Sequence, residues 1–367
     1  MAGPVPSGLG TYAAELARAL ARLDAPHAYL IIRQRGAPAI ATGPNISEAI
    51  VDGDIDAPIN LARGDAIGRL GLDLYHSLHH FLPIGLRVPR VVLTLHDLIW
   101  VEHRRLIRSG GFAPITRIAT NLYSRAAMGY ALRRAERIVA ISAYTASRAA
   151  AHFDVDTSRV DVIPHGVNHA AFPAAAPDAP ASPPYFLCLG NTRPYKNIPA
   201  ALRAFMLCAK SSRGAPGVDS VRLVVTGRGD AVAGLQRLAG RLRIEERVTF
   251  TGPVTQGEVV RLLHGATALL FPSIVEGFGL PVLEAMSAGC PVIASRAPAV
   301  VEVAGDAALI CDADDAEAFA AAMRRMLTEP DLRRALRAAG IARASAFTWD
   351  AAAARTMAVY ERLLANR

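Results

Sequence analysis

The chain has 367 residues, 52% of them hydrophobic, and a formal net charge of +8. That length suits about two domains with ordinary cores, and no apolar run reaches the roughly 18 residues that a bilayer-spanning helix needs. The four cysteines, Cys188, Cys208, Cys290 and Cys311, lack CxxC spacing, which argues against a zinc site; with no charged-then-apolar leader at the N-terminus, the reading is a reduced, cytoplasmic protein.

In chain order, short apolar runs alternate with amphipathic segments, the rhythm of parallel sheets covered by helices on both faces. In the first half the sequence predicts strands at Tyr29–Arg33, Asp73–Ser77, Arg90–His96 and Arg137–Ser142, and helices at Gly10–Leu23, Pro114–Arg134 and Ala143–Phe153. The stretch AAFPAAAPDAPASPP, ending at Pro184, reads as a linker. A second series of strands follows at Tyr185–Leu189, Val221–Thr226, Val248–Thr251, Ala268–Pro272, Pro291–Ser295 and Ala308–Cys311, and helices at Ala316–Leu327, Pro330–Ala346 and Trp349–Ala365 close the chain. No fixed-period repeat is present, which excludes a solenoid. The expected fold is α/β: two Rossmann-like, doubly wound domains facing a cleft. The first takes residues 1–170 and is crossed by a C-terminal helix at 349–367, 171–184 link, and 185–348 form the second. The chain runs from MAGPVPSGLGTY straight into a helix, so the first strand of the N-terminal domain is expected to be missing.

Basic chains favour anionic partners: nucleic acid, anionic lipid surfaces or phosphorylated substrates. Here the arginines are scattered along helices without interleaved aromatics, which weighs against nucleic acid and leaves a peripheral visit to an inner membrane face open. Of the 40 basic residues only Lys196 and Lys210 are lysine.

The segment EGFGLPVLE, Glu276 to Glu284, follows the buried strand ALLFPS and opens a helix. Gly277 and Gly279 let backbone approach a ligand closely, and the amides of Phe278, Gly279 and Leu280 open a helix N-terminus, which attracts phosphate and polar oxygens. Pro281 suits the first turn. Glu276 and Glu284 can accept hydrogen bonds from hydroxyls of one elongated ligand. Each alone is as easily a carboxylate that favours a helix start electrostatically. The second motif, GNTRPYKN from Gly190 to Asn197, turns a strand into a helix and carries Asn191, Arg193 and Lys196. Ammonium and guanidinium neutralise developing phosphate charge in different geometries. A lysine in an arginine-biased chain marks a place where a point charge is wanted; Lys210, in AKSSRG, serves as the solvated control.

Three further motifs are weaker. TGRG, with Gly227, is a glycine turn near a nucleoside or a plain connection. PSGLGTY places Gly8 and Gly10 in an anion-cradling turn. VVLTLHDL sets His96 and Asp97 at a strand end, where His96 can meet a sugar hydroxyl with Asp97 orienting it, or where the two form a structural pair. His79–His80 reads as a loop, and the Asp-x-Asp run DGDID, Asp52 to Asp56, as a solvated turn.

EGFGLPVLE, GNTRPYKN, the VIPHGVN junction and the ending FTWDAAAARTMAVYERL together resemble the retaining glycosyltransferases of family 4, with the GT-B fold, over nearly the whole chain. The resemblance implies that Glu276 contacts the donor sugar, Glu284 the ribose, Lys196 the diphosphate, and the amides of Phe278, Gly279 and Leu280 the sugar and phosphate. It further implies that His96 lies beside the transferred sugar and that Gly8 to Gly10 face the diphosphate, with no metal and no cofactor. The expected catalytic set is Glu276, Lys196 and His96. Donor contacts are expected from Arg193, Glu284, Gly277, Phe278, Gly279, Leu280, Gly190, Asn191, Gly227, Gly8 and Gly10. The chain departs from the family in having Asn191 where many members have arginine, with an arginine at Arg193 instead, and Ser7 in place of the first loop glycine. The expected reaction moves a hexose, mannose by the look of GNTRPYKN, from a nucleotide-diphosphate sugar to a glycan or lipid-linked hydroxyl. A nucleotide-sugar epimerase on the same fold and a non-catalytic nucleotide-binding module are the competing readings.

Overall fold

A computed structural model of the chain describes residues 8–34, 39–40, 43–51, 64–103, 106, 114–175, 183–211, 220–227, 229 and 231–365. DGDID, Pro6, Ser7, Arg228 and the middle of the linker lie outside these residues. Among them, no helix is long and apolar enough to cross a membrane. The chain divides into two compact units, one of Met1–Val101, Pro114–Gly166 and Phe347–Arg367, the other of Glu102–Ala113 and Val167–Ala346.

In the first unit α1 (Gly8–Arg22) is the first described element, followed by β1 (Tyr29–Gln34) and β2 (Ile46–Val51), a parallel pair. After α2 (Gly64–Gly68) come β3 (Leu74–Ser77), β4 (Arg90–Leu95), α3 (Ile99–Glu102), α4 (Pro114–Arg134), β5 (Arg137–Ala140), α5 (Ala143–Phe153) and β6 (Val160–Val162). Strands β3-β4-β5-β6 pair in that order, all parallel. Successive strand residues face opposite sides, and the sheet is packed accordingly. Val92, Val139 and Ile163 join Tyr12, Leu16 and Leu20 of α1 and the C-terminal helix in one core. Val91, Leu93, Leu95 and Ile138 join Met128, Ala131 and Leu132 of α4 in another. Each such buried aliphatic side chain contributes about 1.5–3 kcal/mol. α1 begins at Gly8, the first described residue, so the expectation of a missing first strand lies outside the described residues.

A polar chain crosses the first core. The Tyr12 hydroxyl meets Thr94 Oγ1 at 2.9 Å, Thr94 Oγ1 meets His76 Nε2 at 2.8 Å, and His76 Nδ1 meets the Tyr360 hydroxyl at 2.6 Å. Burial lowers His76 to a pKa of about 3, so it is a neutral imidazole, able to donate through one nitrogen and accept through the other. The chain ties α1, two strands and the C-terminal helix together.

The second unit is one six-stranded parallel sheet. Its strands are β7 (Tyr185–Cys188), β8 (Arg222–Thr226), β9 (Val248–Gly252), β10 (Ala268–Phe271), β11 (Val292–Ser295) and β12 (Leu309–Cys311), in the order β12-β11-β10-β7-β8-β9. Helices α6 (Ile198–Ser211), α7 (Val232–Leu242), α8 (Gln256–Gly265), α9 (Leu280–Ser287), α10 (Pro298–Ala304), α11 (Ala316–Thr328) and α12 (Pro330–Ser345) connect and cover it, and α13 (Trp349–Ala365) returns to the first unit. Phe186, Phe205, Phe271 and Phe319 are its largest fully buried side chains. The four cysteines are buried thiols, and burial pushes Cys188 and Cys290 up to about 12.

The chain order reverses at β7: β7-β8-β9 wind one way and β10-β11-β12 the other. In doubly wound sheets the ligand crevice lies outside the carboxyl ends of the strands at such a reversal. The loops after β7 and β10 therefore hold the position where a ligand is expected, and these are GNTRPYKN and the segment leading into EGFGLPVLE.

Candidate nucleotide-sugar site

The loop after β10 ends at Gly279, which caps α9 with φ 115° and ψ 44°, a left-handed conformation that glycine adopts without strain. Pro281 sits in the first turn of α9, where no amide donor is needed. Phe278 is buried and anchors the loop. Glu276 precedes the turn and Glu284 lies inside the helix.

Beside it, the loop after β7 forms a 3-10 turn at Pro194–Lys196, closed by Asn197 in the left-handed region with φ 52°. The Asn197 side-chain amide donates to the Ala313 carbonyl at 2.6 Å, and the Ile274 amide donates to the Tyr195 carbonyl at 2.7 Å. The second bond joins the two loops directly. Lys196 is thereby carried inward, and its Nζ donates to Glu276 Oε1 at 2.7 Å, each side chain only 11% exposed. The ammonium also lies 4.9 Å from the centre of the Phe271 ring and 5.5 Å from that of Tyr195, distances at which a cation is drawn to an aromatic face. Lys210 is exposed on the last turn of α6. The two lysines thus separate: Lys196 is buried in an ion pair with Glu276, a contact the sequence did not suggest, and Lys210 is exposed, as read for the control.

Glu284 is partly buried, and desolvation lifts its carboxyl to about 7 against the downward pull of the Lys196 charge. Near neutrality it exchanges between a proton-bearing donor and a pure acceptor.

The loop after β8 supports the loop after β7. The Gly190 amide donates to Thr226 Oγ1 at 3.2 Å. A Cβ on Gly227 would stand 1.7 Å from the Gly190 carbonyl oxygen, so no other residue fits against that backbone. Gly227→Ala is expected to push the Gly190 turn out of place at a cost of about 1–3 kcal/mol. It should also abolish any rise in melting temperature given by GDP or UDP, which a thermal-shift measurement checks. Two buried hydroxyls near these strand ends, Thr192 Oγ1 and Ser273 Oγ, have no hydrogen-bond partner among the described residues. Such groups are costly unless something satisfies them. Thr226 and Ser273 stand in the strand endings TGRG and FPS, where a lone hydroxyl carries no distinctive sequence signal.

In the first unit, His96 Nε2 donates to the Leu78 carbonyl at 3.0 Å, and burial lowers its pKa to about 3 despite that bond. Tyr12 packs edge-on against the His96 ring with centroids 4.8 Å apart. Asp97 Oδ1 accepts the Ile99 amide at 2.9 Å, so it caps the turn into α3, and the carbonyl of Leu78 is what fixes His96. Gly8 and Gly10 form the first turn of α1, two residues earlier than the expected start, and so belong to the helix terminus itself. His165 of VIPHGVN stacks between Tyr12 and Trp349, with centroids 4.7 Å and 5.7 Å away. His79 and His80 pack ring to ring at 4.1 Å. Among the described residues no group of three or more His, Cys, Asp and Glu side chains is placed to hold a metal ion.

Two family models match the chain: one described as Glycosyltransferase Family 4, over residues 6–171, and one described as Glycosyl transferases group 1, over residues 174–343. Among curated relatives, an O-antigen chain mannosyltransferase B of Escherichia coli is 29% identical over 79% of this chain and 74% of its own length. A D-inositol 3-phosphate glycosyltransferase of Streptomyces scabiei is 32% identical over 62% of this chain, and the match spans only 54% of that relative. The fold is shared with a sucrose-phosphate synthase from Thermosynechococcus elongatus, at TM-score 0.74 and 22% identity over 98% of this chain and 94% of that one. HepE of Anabaena, crystallised with UDP and glucose, matches at TM-score 0.74 and 18% identity over 99% and 98%. These structures have the two Rossmann-like domains of the GT-B fold, and with both halves matched the chain belongs to the group 1, family 4 glycosyltransferases.

Proposed function

We propose that this chain is a retaining glycosyltransferase that moves a hexose, mannose in the first instance, from a nucleotide-diphosphate sugar to a hydroxyl of a glycan or lipid-linked acceptor. The observation that carries the reading is the Lys196–Glu276 contact of 2.7 Å at the reversal point of the second sheet, with Glu284 one turn into the adjoining helix. A cation for a diphosphate and two carboxylates for sugar and ribose hydroxyls are the groups that a nucleotide sugar needs. Two of the relatives are named as O-antigen chain mannosyltransferases, which favours mannose and a polysaccharide product, and HepE is described in complex with UDP and with UDP-glucose, which keeps UDP-sugars in view.

In this reading Lys196 and Arg193 stabilise the leaving diphosphate, as preorganised charge does where charge develops. The amides of Phe278, Gly279 and Leu280 hold sugar and phosphate oxygens, with Gly277 giving room, and Gly190, Asn191 and Gly227 shape the floor. Glu276 accepts from the sugar hydroxyls and Glu284 from the ribose. His96, Gly8 and Gly10 keep, in this reading, the sugar and diphosphate roles expected of them from the sequence. Retention follows from attack on the face that the diphosphate leaves, with a phosphate oxygen taking the acceptor's proton. We read the reaction as cytoplasmic, at most peripheral on the inner membrane face.

The test is a thermal-shift panel of GDP, UDP, GDP-mannose and UDP-glucose, since a ligand that binds the folded state raises the melting temperature by mass action. It is followed by a transfer assay on a lipid-linked glycan. A rise with none of the four ligands overturns the donor reading. An isomerised nucleotide sugar formed without acceptor would establish an epimerase instead. Charge neutralisation by Lys196 and Arg193 implies activity unchanged within about twofold on adding EDTA; a loss restored by a divalent cation would assign the phosphate to a metal.

A further inference from the structure

We infer that the Lys196–Glu276 ion pair makes the site select nucleotide sugars against free nucleoside diphosphates, the product that transfer leaves behind; the inference rests on the donor reading above. In the free protein the two side chains hold each other at 2.7 Å, and each is only 11% exposed. Phe271 and Tyr195 surround the ammonium with aromatic faces. In such low-dielectric surroundings the attraction is strong, and a charge left without its partner is costly. Glu284 is a second carboxyl within the field of the same ammonium, so Lys196 is the shared counter-charge of both.

Any diphosphate that takes Lys196 must loosen this pair. It also brings its own negative charge close to the Glu276 carboxylate, where like charges repel. A nucleotide sugar offsets that cost, because its hydroxyls donate to the Glu276 oxygens that Lys196 has released. A free nucleoside diphosphate has no hydroxyl at that position and carries more negative charge at the terminal phosphate. The same contact therefore opposes the product and tolerates the substrate. Discrimination arises because one ligand leaves a buried acceptor unsatisfied and the other does not, the kind of difference that polar sites amplify. After transfer the pair can re-form only when the diphosphate leaves, so it also acts as a displacing group.

The test is isothermal titration of the full chain with GDP, UDP, GDP-mannose and UDP-glucose, in wild type, Glu276→Gln, Lys196→Met and the double variant. Glu276→Gln removes the carboxylate that pairs with the ammonium at 2.7 Å and, with it, the charge that repels a diphosphate. The preferred nucleoside diphosphate should then bind about tenfold more tightly, as expected for a close charge pair, while its sugar adduct gains nothing or weakens. In the Lys196→Met background the same change at Glu276 relieves only the direct repulsion and releases no ammonium, so the gain in diphosphate affinity should be clearly smaller than in wild type. Unchanged or weaker diphosphate binding by Glu276→Gln overturns the inference, as does equal tightening in both backgrounds. Should Glu276→Gln fail to give a cooperative melting transition, Glu276→Asp replaces it. Its shortened arm lengthens the pair, and it must show tightening of the same sign. Absence of binding of all four ligands to wild type overturns the donor reading itself, whereas wild-type binding with no gain in Glu276→Gln overturns only the inference.

Discussion

Lys196→Ala should lower turnover by about two to three orders of magnitude, the range seen when one preorganised charge-stabilising group is removed, while the protein keeps its fold. The leaving diphosphate loses its buried point charge, and Arg193, exposed on the same turn, does not fill the buried position of the Lys196 ammonium. Lys196→Arg should recover only part of the loss, since a planar fork does not occupy the pocket of a compact ammonium between Phe271 and Tyr195. Removing the lysine also strips Glu276 of its counter-charge at 2.7 Å. A modest fall in melting temperature should accompany the loss of activity, and Lys196→Ala/Glu276→Gln should restore most of that temperature without restoring turnover. Steady-state kinetics and melting curves on the three variants separate the two effects. Near-normal turnover in Lys196→Ala would refute the role.

Most helices and strands were legible from the alternation of apolar runs and amphipathic segments, the short α2 and α3 aside. Pro114–Arg134, Ala143–Phe153 and Trp349–Ala365 fall where the pattern places them. Two strands were not. In β2, ISEAIV, Glu48 pairs with Arg33 across β1 at 2.7 Å. In β6, only three residues long, Asp161 is held by Arg137 and Arg362. Both carry charge in mid-strand, satisfied by partners that a local window does not contain. The same limit applies to the site. That EGFGLPVLE and GNTRPYKN flank buried strands can be read from the chain. That β10 lies beside β7 cannot, and only this neighbourhood brings Lys196 onto Glu276, 80 positions away. Likewise Leu78, the partner of His96, lies across the sheet in the turn after β3, where the sequence suggested the adjacent Asp97.

Affinity for the intact nucleotide sugar should rise with pH through neutrality, and Glu284 should be the cause. Its carboxyl is lifted to about 7 in the free protein, chiefly by burial. Ribose hydroxyls donate most favourably to the ionised form, so protonation competes with the donor. With a pKa of about 7 the group is roughly one-tenth ionised at pH 6 and nine-tenths at pH 8, so the dissociation constant should fall by up to about tenfold over that interval. The sugar adduct is the proper ligand here, because free GDP and UDP carry a terminal phosphate that titrates in the same range. Glu284→Gln should flatten the profile at weak affinity, and Lys196→Ala should move it to higher pH by removing the one charge that opposes the shift. Stability follows the opposite sign. A carboxyl whose folded pKa is raised stabilises the native state below its unfolded value near 4.5, and that contribution is lost as pH rises through 7. The free protein should therefore melt at a lower temperature at pH 8 than at pH 6 on account of this group, with the difference reduced in Glu284→Gln. A saturating donor should reverse the trend in wild type alone. Calorimetric titration and melting at pH 6, 7 and 8 measure both slopes, and a donor affinity independent of pH in wild type would remove Glu284 from the ribose.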